Sequence, residues 1–117
     1  MRILGVDPGF KATGYGLIEV GLGPVALIET GTIEPKQKDL IQNRIGKIHK
    51  ILGDLIDEHG PRVLVLEKLY AHSAHPVTAS KLGHVRGAIC LLCAQKNIEL
   101  VEYSVKRIRK ALIGNGG

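Results

Sequence analysis

Two carboxylates stand where apolar runs stop. Asp7 closes Ile3-Leu4-Gly5-Val6, and Glu67 closes Val63-Leu64-Val65-Leu66. If both runs are neighbouring strands, both acids project into the crevice at the strand ends, where open α/β sheets bind their ligands. Oxygen donors on adjacent strands can hold a hard divalent cation such as Mg²⁺, with water and substrate phosphate completing its shell. Taken singly, each acid reads equally well as a helix-cap or loop carboxylate. Matching strand ends beside a basic half of the chain favour a metal centre formed by Asp7 and Glu67.

Other reactive residue types fit this centre less directly. The glycine-rich stretch Asp7 to Gly16 lacks the strand-to-helix setting of a dinucleotide fingerprint and the Lys-Ser/Thr ending of a P-loop. Its glycines suit a tight turn that lets a nucleic-acid backbone approach the strand end. Cys90 and Cys93 have the spacing of a redox or zinc pair, but no second pair exists and both fall in an apolar helical pattern. Buried structural cysteine is the expected reading. His72 and His75 follow Glu67 in a loop, as metal ligands or as exposed histidines. Tyr70, the aromatic beside the acidic strand end, either wedges between DNA bases or folds back on the sheet.

The elements that position these groups follow from periodicity. Strands are predicted at Ile3 to Val6, Gly14 to Val20 and Val25 to Ile33, and their short connections predict an antiparallel meander. Asp39 and Gln42 have capping-box spacing, and Ile41, Ile45, Ile48, Leu52 and Leu55 recur with the helical period. A helix from Leu40 to His59 is expected, ended by Gly60-Pro61. Arg62 to Glu67 reads as a central strand buried on both faces. A second helix runs through Leu82, Val85, Ile89, Leu92 and Cys93, with Gly83 and Gly87 at a cost of about 1 kcal/mol each relative to Ala. Close approach of another helix would explain them. Ile98 to Tyr103 is the fifth strand. The fold class is therefore α/β, a mixed sheet with helices packed on it.

The chain has 117 residues, 44% hydrophobic and 23% charged, with a formal charge of +5. That suits one domain and excludes a second of ordinary size. Residues 1–67 carry eight basic and nine acidic side chains, and residues 68–117 carry eight and two, so the halves hold −1 and +6. Lys106, Arg107, Arg109 and Lys110 form the densest cluster, suited to phosphates and counterion release, or else a solvated basic face. Aromatics are only 3%, which argues against a stacking platform for single strands. With two cysteines, no secretion-signal pattern and no long apolar run, the expected compartment is the reducing cytoplasm.

Leu4-Gly5-Val6-Asp7-Pro8-Gly9 with Thr13-Gly14-Tyr15-Gly16, Leu66-Glu67 leading to Tyr70, and Ala79-Ser80-Lys81-Leu82-Gly83-His84-Val85-Arg86-Gly87 together resemble the bacterial RuvC family of Holliday-junction resolvases. The resemblance spans essentially the whole chain. It implies a ribonuclease-H-like mixed five-stranded sheet and a homodimer that cuts two symmetry-related strands of a four-way DNA junction. Two Mg²⁺ or Mn²⁺ ions per active site would hold the scissile phosphate and activate water. By this resemblance Asp7 and Glu67 are catalytic metal ligands. Tyr70 probes the junction, Arg109 binds DNA near the site, and the helix bearing Leu82, Gly83, Arg86 and Gly87 is the dimer helix. RuvA and RuvB, which bind junctions and drive branch migration, are the implied partners.

The family completes its metal site with two acids, or an acid and a histidine, on a last helix beyond the glycine-rich stretch. This sequence reaches that stretch at Gly114 to Gly117. The expectation is thus one domain over residues 1–117 without that helix, holding half of the metal ligands, with one sheet face uncovered and apolar. The His72-Ser73-Ala74-His75-Pro76 loop also departs from the family's polar run. Two further readings stay open. One is a non-catalytic junction-binding module. The other is a nucleotide-binding relative of the actin and sugar-kinase group, motivated by the Asp7 to Gly9 loop.

Overall fold

A computed structural model describes residues 1–68 and 76–103. The readings for Tyr70, His72, His75, Lys106, Arg107, Arg109 and Lys110 lie outside the described residues. Along the chain come β1 (Arg2–Asp7), β2 (Thr13–Glu19), β3 (Ala26–Ile33), α1 (Ile41–His59), β4 (Val63–Glu67), α2 (Pro76–Lys96) and β5 (Glu99–Tyr103). The sheet order is β3-β2-β1-β4-β5. β1 is antiparallel to β2 and parallel to β4, and β5 is parallel to β4. The expected meander and the two helical crossovers are both present.

Alternation along the strands decides which face is covered. Leu4, Val6, Leu17, Leu64 and Leu66 are buried, and they form one core with Ile48, Leu52, Leu55 and Ile56 of α1 and Val85, Ile89, Leu92 and Cys93 of α2. Both helices thus pack on the same side. Ile3, Gly5, Gly16, Ile18 and Val65 point the other way and line an open hollow of about 840 Å³. Among the described residues nothing covers that side. β4 is accordingly half-buried at Val63, Val65 and Glu67 and buried only at Leu64 and Leu66, rather than enclosed on both faces.

Two helix details differ from expectation. Asp39 does not cap α1. Leu40 is the N-cap, without a side-chain bond, and the Asp39 carboxylate accepts from the Lys36 N–H at 2.9 Å in the preceding turn. Of the helix glycines, Gly53 is the one that faces the other helix: a Cβ there would lie 3.4 Å from Leu92 Cδ1, an ordinary contact distance. At Gly83 and Gly87 a Cβ would meet nothing within 4 Å. At the other end of α1, Gly60 takes the left-handed conformation (φ 61°) and donates its N–H to the Ile56 carbonyl.

Candidate active site

Parallel pairing of β1 with β4 sets Val6 opposite Leu66. The next residues, Asp7 and Glu67, therefore end neighbouring strands side by side, both on the face away from the helices. Asp7 is exposed and Glu67 is half-buried. Glu67 is held above the ordinary carboxylate range, chiefly by burial, then by the charge of Asp7 and a hydrogen bond with it; Arg86 offsets part of this. Tyr103 faces Glu67 across the β4–β5 ladder. Burial first, then the charges of Glu67 and Asp7, push its hydroxyl up, so it keeps its proton beside the acids. Sequence reasoning did not single out Tyr103. Its signal is the β5 alternation Glu99, Val101, Tyr103, which puts it on the side of Val65 and Glu67.

The loop after Asp7 is fixed by two residues. A Cβ on Gly9 would sit 2.1 Å from the Ala12 carbonyl oxygen, so no side chain fits without moving backbone. The fully buried Thr13 donates its hydroxyl to the Gly9 carbonyl at 2.9 Å and accepts the Gly9 N–H at 3.3 Å. The chain folds back sharply, leaving Asp7 at the open strand end.

Arg86 anchors the strand end that bears the other carboxylate. From α2, on the covered face, its guanidinium donates to the Glu67 backbone carbonyl and to Glu102 Oε2 at 2.6 Å. Arg86 lies on the helix that the family resemblance reads as the dimer helix, and within the chain its side chain turns inward and ties β4 to β5. This guanidinium is only 13% exposed. Arg86→Ala is expected to lower stability by about 1.5–3 kcal/mol, the range for hydrogen bonds to charged groups. Arg86→Lys should recover only part, because an ammonium lacks the planar fork. Thermal unfolding of the two variants checks this.

A divalent cation fits the donor set. Two carboxylates close enough to share a hydrogen bond, one already resisting ionisation, are an oxygen-rich site whose repulsion a cation would relieve. Among the described residues no group of three or more His, Cys, Asp or Glu side chains converges. Asp7 and Glu67 would hold the ion, with water and phosphate oxygens as further donors.

The family model for crossover junction endodeoxyribonuclease RuvC matches residues 3–117. The chain belongs to the RuvC family. A RuvC of Halorhodospira halophila is 42% identical over 116 residues, covering 98% of this chain and 68% of that protein. A RuvC of Rhodopirellula baltica is 36% identical, covering 97% of this chain and 64% of its own length. The chain thus spans about two thirds of these relatives. Among solved structures, Thermus thermophilus RuvC in complex with Holliday junction substrate superposes with a TM-score of 0.87 at 19% identity, over 97% of this chain and 72% of that one. The yeast mitochondrial Holliday junction resolvase gives 0.70 at 16% identity, over 98% and 56%. These likenesses establish the ribonuclease-H-like fold, and the family is one of crossover junction endonucleases.

The RuvC motifs fall on definite surfaces. On α2, Leu82 is half-buried, while Gly83 and Gly87 are exposed and no other part of the described chain approaches them. Cys90 is exposed as well, contrary to the expectation that both cysteines are buried. Cys93 is buried in the core, and that burial raises its thiol to about 11, consistent with an inert structural role. Among the described residues no helix is long and apolar enough to cross a membrane.

Proposed function

We propose that this chain binds four-way DNA junctions and serves as the nuclease domain of a resolvase, with Asp7 and Glu67 as catalytic metal ligands. The observation that carries the reading is the placement of these two carboxylates side by side at adjacent strand ends on the open face of the sheet, within a RuvC family fold. A bound Mg²⁺ or Mn²⁺, two per complete family site, supplies charge neutralisation and an activated water for in-line attack on the scissile phosphodiester. Asp7 and Glu67 would present their carboxylate oxygens to that cation, whose remaining positions are left for water and phosphate oxygens. Gly9 and Thr13 hold the turn that presents Asp7, and Arg86 fixes the strand end that presents Glu67. Tyr103 offers a hydroxyl hydrogen-bond donor at the edge of the pair.

Residues 1–117 act as one domain in this reading. Tyr70, Lys106, Arg107, Arg109 and Lys110 contact the junction. The chain works in the cytoplasm as a homodimer through α2, with RuvA and RuvB as partners. Support for the dimer comes from α2 itself. One side buries Val85, Ile89 and Leu92, while the opposite side exposes Gly83, Gly87, Cys90 and Leu91, and a helix apolar around its circumference calls for a covering on both sides. A two-fold pair of sites suits paired cuts on opposite strands.

The test is a gel-shift comparison in chelator of a four-way junction with duplex of the same sequence. Preference for the junction is expected, since binding precedes metal chemistry. Equal affinity for the two would overturn the reading. ATP with Mg²⁺ raising the melting temperature where junction DNA does not would instead favour a nucleotide-binding role.

A further inference from the structure

A second cationic feature lies beside the carboxylate pair. Arg44 stands on the buried face of α1, where the periodicity calls for an apolar residue, and is only 5% exposed. Its guanidinium donates to the carbonyls of Phe10, Lys36 and Gln37 at 3.0–3.2 Å. Its Nε is buried without a partner. Carbonyl dipoles satisfy N–H groups but leave the positive charge unneutralised, and a buried charge without a counter-ion is unfavourable.

Two more cations converge there. Arg44 Cζ lies 4.6 Å from the centre of the Phe10 ring, and Lys81 Nζ lies 5.1 Å from the same centre. Lys11 follows Phe10 in the β1–β2 loop. Two adjoining hollows of about 380 and 630 Å³ share Phe10, Lys11 and Lys81. The first also reaches Arg44, and the second reaches Pro8, Gly9 and Thr78. Among the described residues no carboxylate lines either hollow, and none pairs with Lys11, Arg44 or Lys81. Neither α1 nor α2 carries an acid in its first turn; Asp39, just before α1, is held in the preceding turn by the Lys36 N–H and lines neither hollow.

We propose that the hollow between Lys11, Arg44 and Lys81 is a phosphate-binding subsite that grips the DNA backbone next to the phosphate held at Asp7 and Glu67. The inference rests on the junction-binding reading. A phosphodiester supplies the missing negative charge, Lys11 and Lys81 meet its oxygens, and Arg44 provides fixed charge from beneath. The loop Pro8–Ala12 joins this subsite directly to Asp7, so gripping one phosphate sets the register of its neighbour over the carboxylates. Phosphate contacts of this kind position a nucleic acid and carry no sequence information.

The experiment measures junction affinity against salt concentration, in chelator, for the 117-residue chain and for the double variant Lys11→Gln/Lys81→Gln. Removing one lysine–phosphate interaction makes the log–log salt slope shallower by about 0.9. The expected result is a slope shallower by about one to two and affinity weakened roughly ten-fold or more near 0.1 M salt. The equal-charge control Lys50→Gln/Lys96→Gln, whose lysines pair with Asp54 and Asp57, should leave the slope near wild type. A double variant with the wild-type slope, or a control whose slope falls as far, overturns the subsite. Failure of the junction reading shows separately, as wild-type binding that is equal on duplex. In that event the same slope comparison on duplex still decides the subsite. Stabilisation by ATP that is abolished in the double variant while the DNA slopes stay unchanged would assign the hollow to a nucleotide and overturn the proposal.

Discussion

Asp7→Asn should abolish cation-dependent stabilisation while making the cation-free protein more heat-stable. Glu67 resists ionisation because it is partly buried and because Asp7 sits in hydrogen-bonding contact with it. Removing the Asp7 charge removes that repulsion, so the melting temperature without divalent ions should rise. The pH dependence has a definite sign. A carboxyl whose folded pKa is raised binds its proton more tightly in the folded than in the unfolded state, so stability falls as pH rises from the ordinary carboxylate value through the raised one. Wild type without cations should show this loss just above the ordinary glutamate range, and Asp7→Asn should show less of it. Mg²⁺ or Mn²⁺ should cancel it in wild type only. Outer partners of metal ligands already cost about 10–100-fold in metal affinity when removed, so loss of the ligand itself should exceed that. Melting curves over pH, with and without Mn²⁺, check all three. A variant that melts lower than wild type without cations, or is stabilised as strongly by Mn²⁺, contradicts this assignment.

Gly9→Ala should be the most damaging small substitution outside the core. A single methyl would lie 2.1 Å from the Ala12 carbonyl oxygen, and backbone cannot step aside as a side-chain tip can. The turn must open, which breaks both bonds between Gly9 and the buried Thr13. Strained backbone costs about 1–3 kcal/mol, and stranding a buried hydroxyl adds about 1–3 kcal/mol. For a domain of this size, a loss of about 3 kcal/mol would lower the melting temperature by roughly 10 °C or more. Gly16→Ala is the contrast, since a Cβ there meets nothing within 4 Å. Because the turn presents Asp7, Gly9→Ala should also weaken Mn²⁺ stabilisation, whereas Gly16→Ala should leave the Asp7 turn intact. Chemical denaturation of the two variants measures the difference.

The residues of the acidic pair were legible because each broke a pattern. A carboxylate ending Val63-Leu64-Val65-Leu66 has no reason in packing, and its partner after Val6 repeats the anomaly on the adjacent strand. The sheet followed from the same runs. What escaped was set by tertiary geometry. Arg44 occupies an inward position of α1 because three loop carbonyls gather there, and carbonyl positions leave no mark on hydrophobic periodicity. Arg86 was unreadable for a similar reason. On a helix apolar over most of its surface, the inward direction follows only once β4 and β5 are in place, and Glu102 supplies the second anchor. The glycines differ in kind from what their spacing suggests. Gly83 and Gly87 have the look of a helix crossing, yet among the described residues nothing comes within 4 Å of a Cβ at either, and the helix glycine that faces the other helix is Gly53, opposite Leu92. Asp39 and Gln42 have capping-box spacing, but the carboxylate finds a nearer N–H at Lys36.

The proposed cation-dependent phosphodiesterase site at Asp7 and Glu67 can be put to a single decisive trial on its own substrate class. A four-way junction labelled on each strand is incubated with the protein and Mg²⁺ or Mn²⁺, and the nicks are mapped beside matched reactions of Asp7→Asn and Glu67→Gln. Wild type should give paired nicks at symmetry-related positions, with none in chelator and none from either variant. Nicks that persist in chelator, or that either variant makes at the wild-type rate, would remove the two carboxylates from the chemistry.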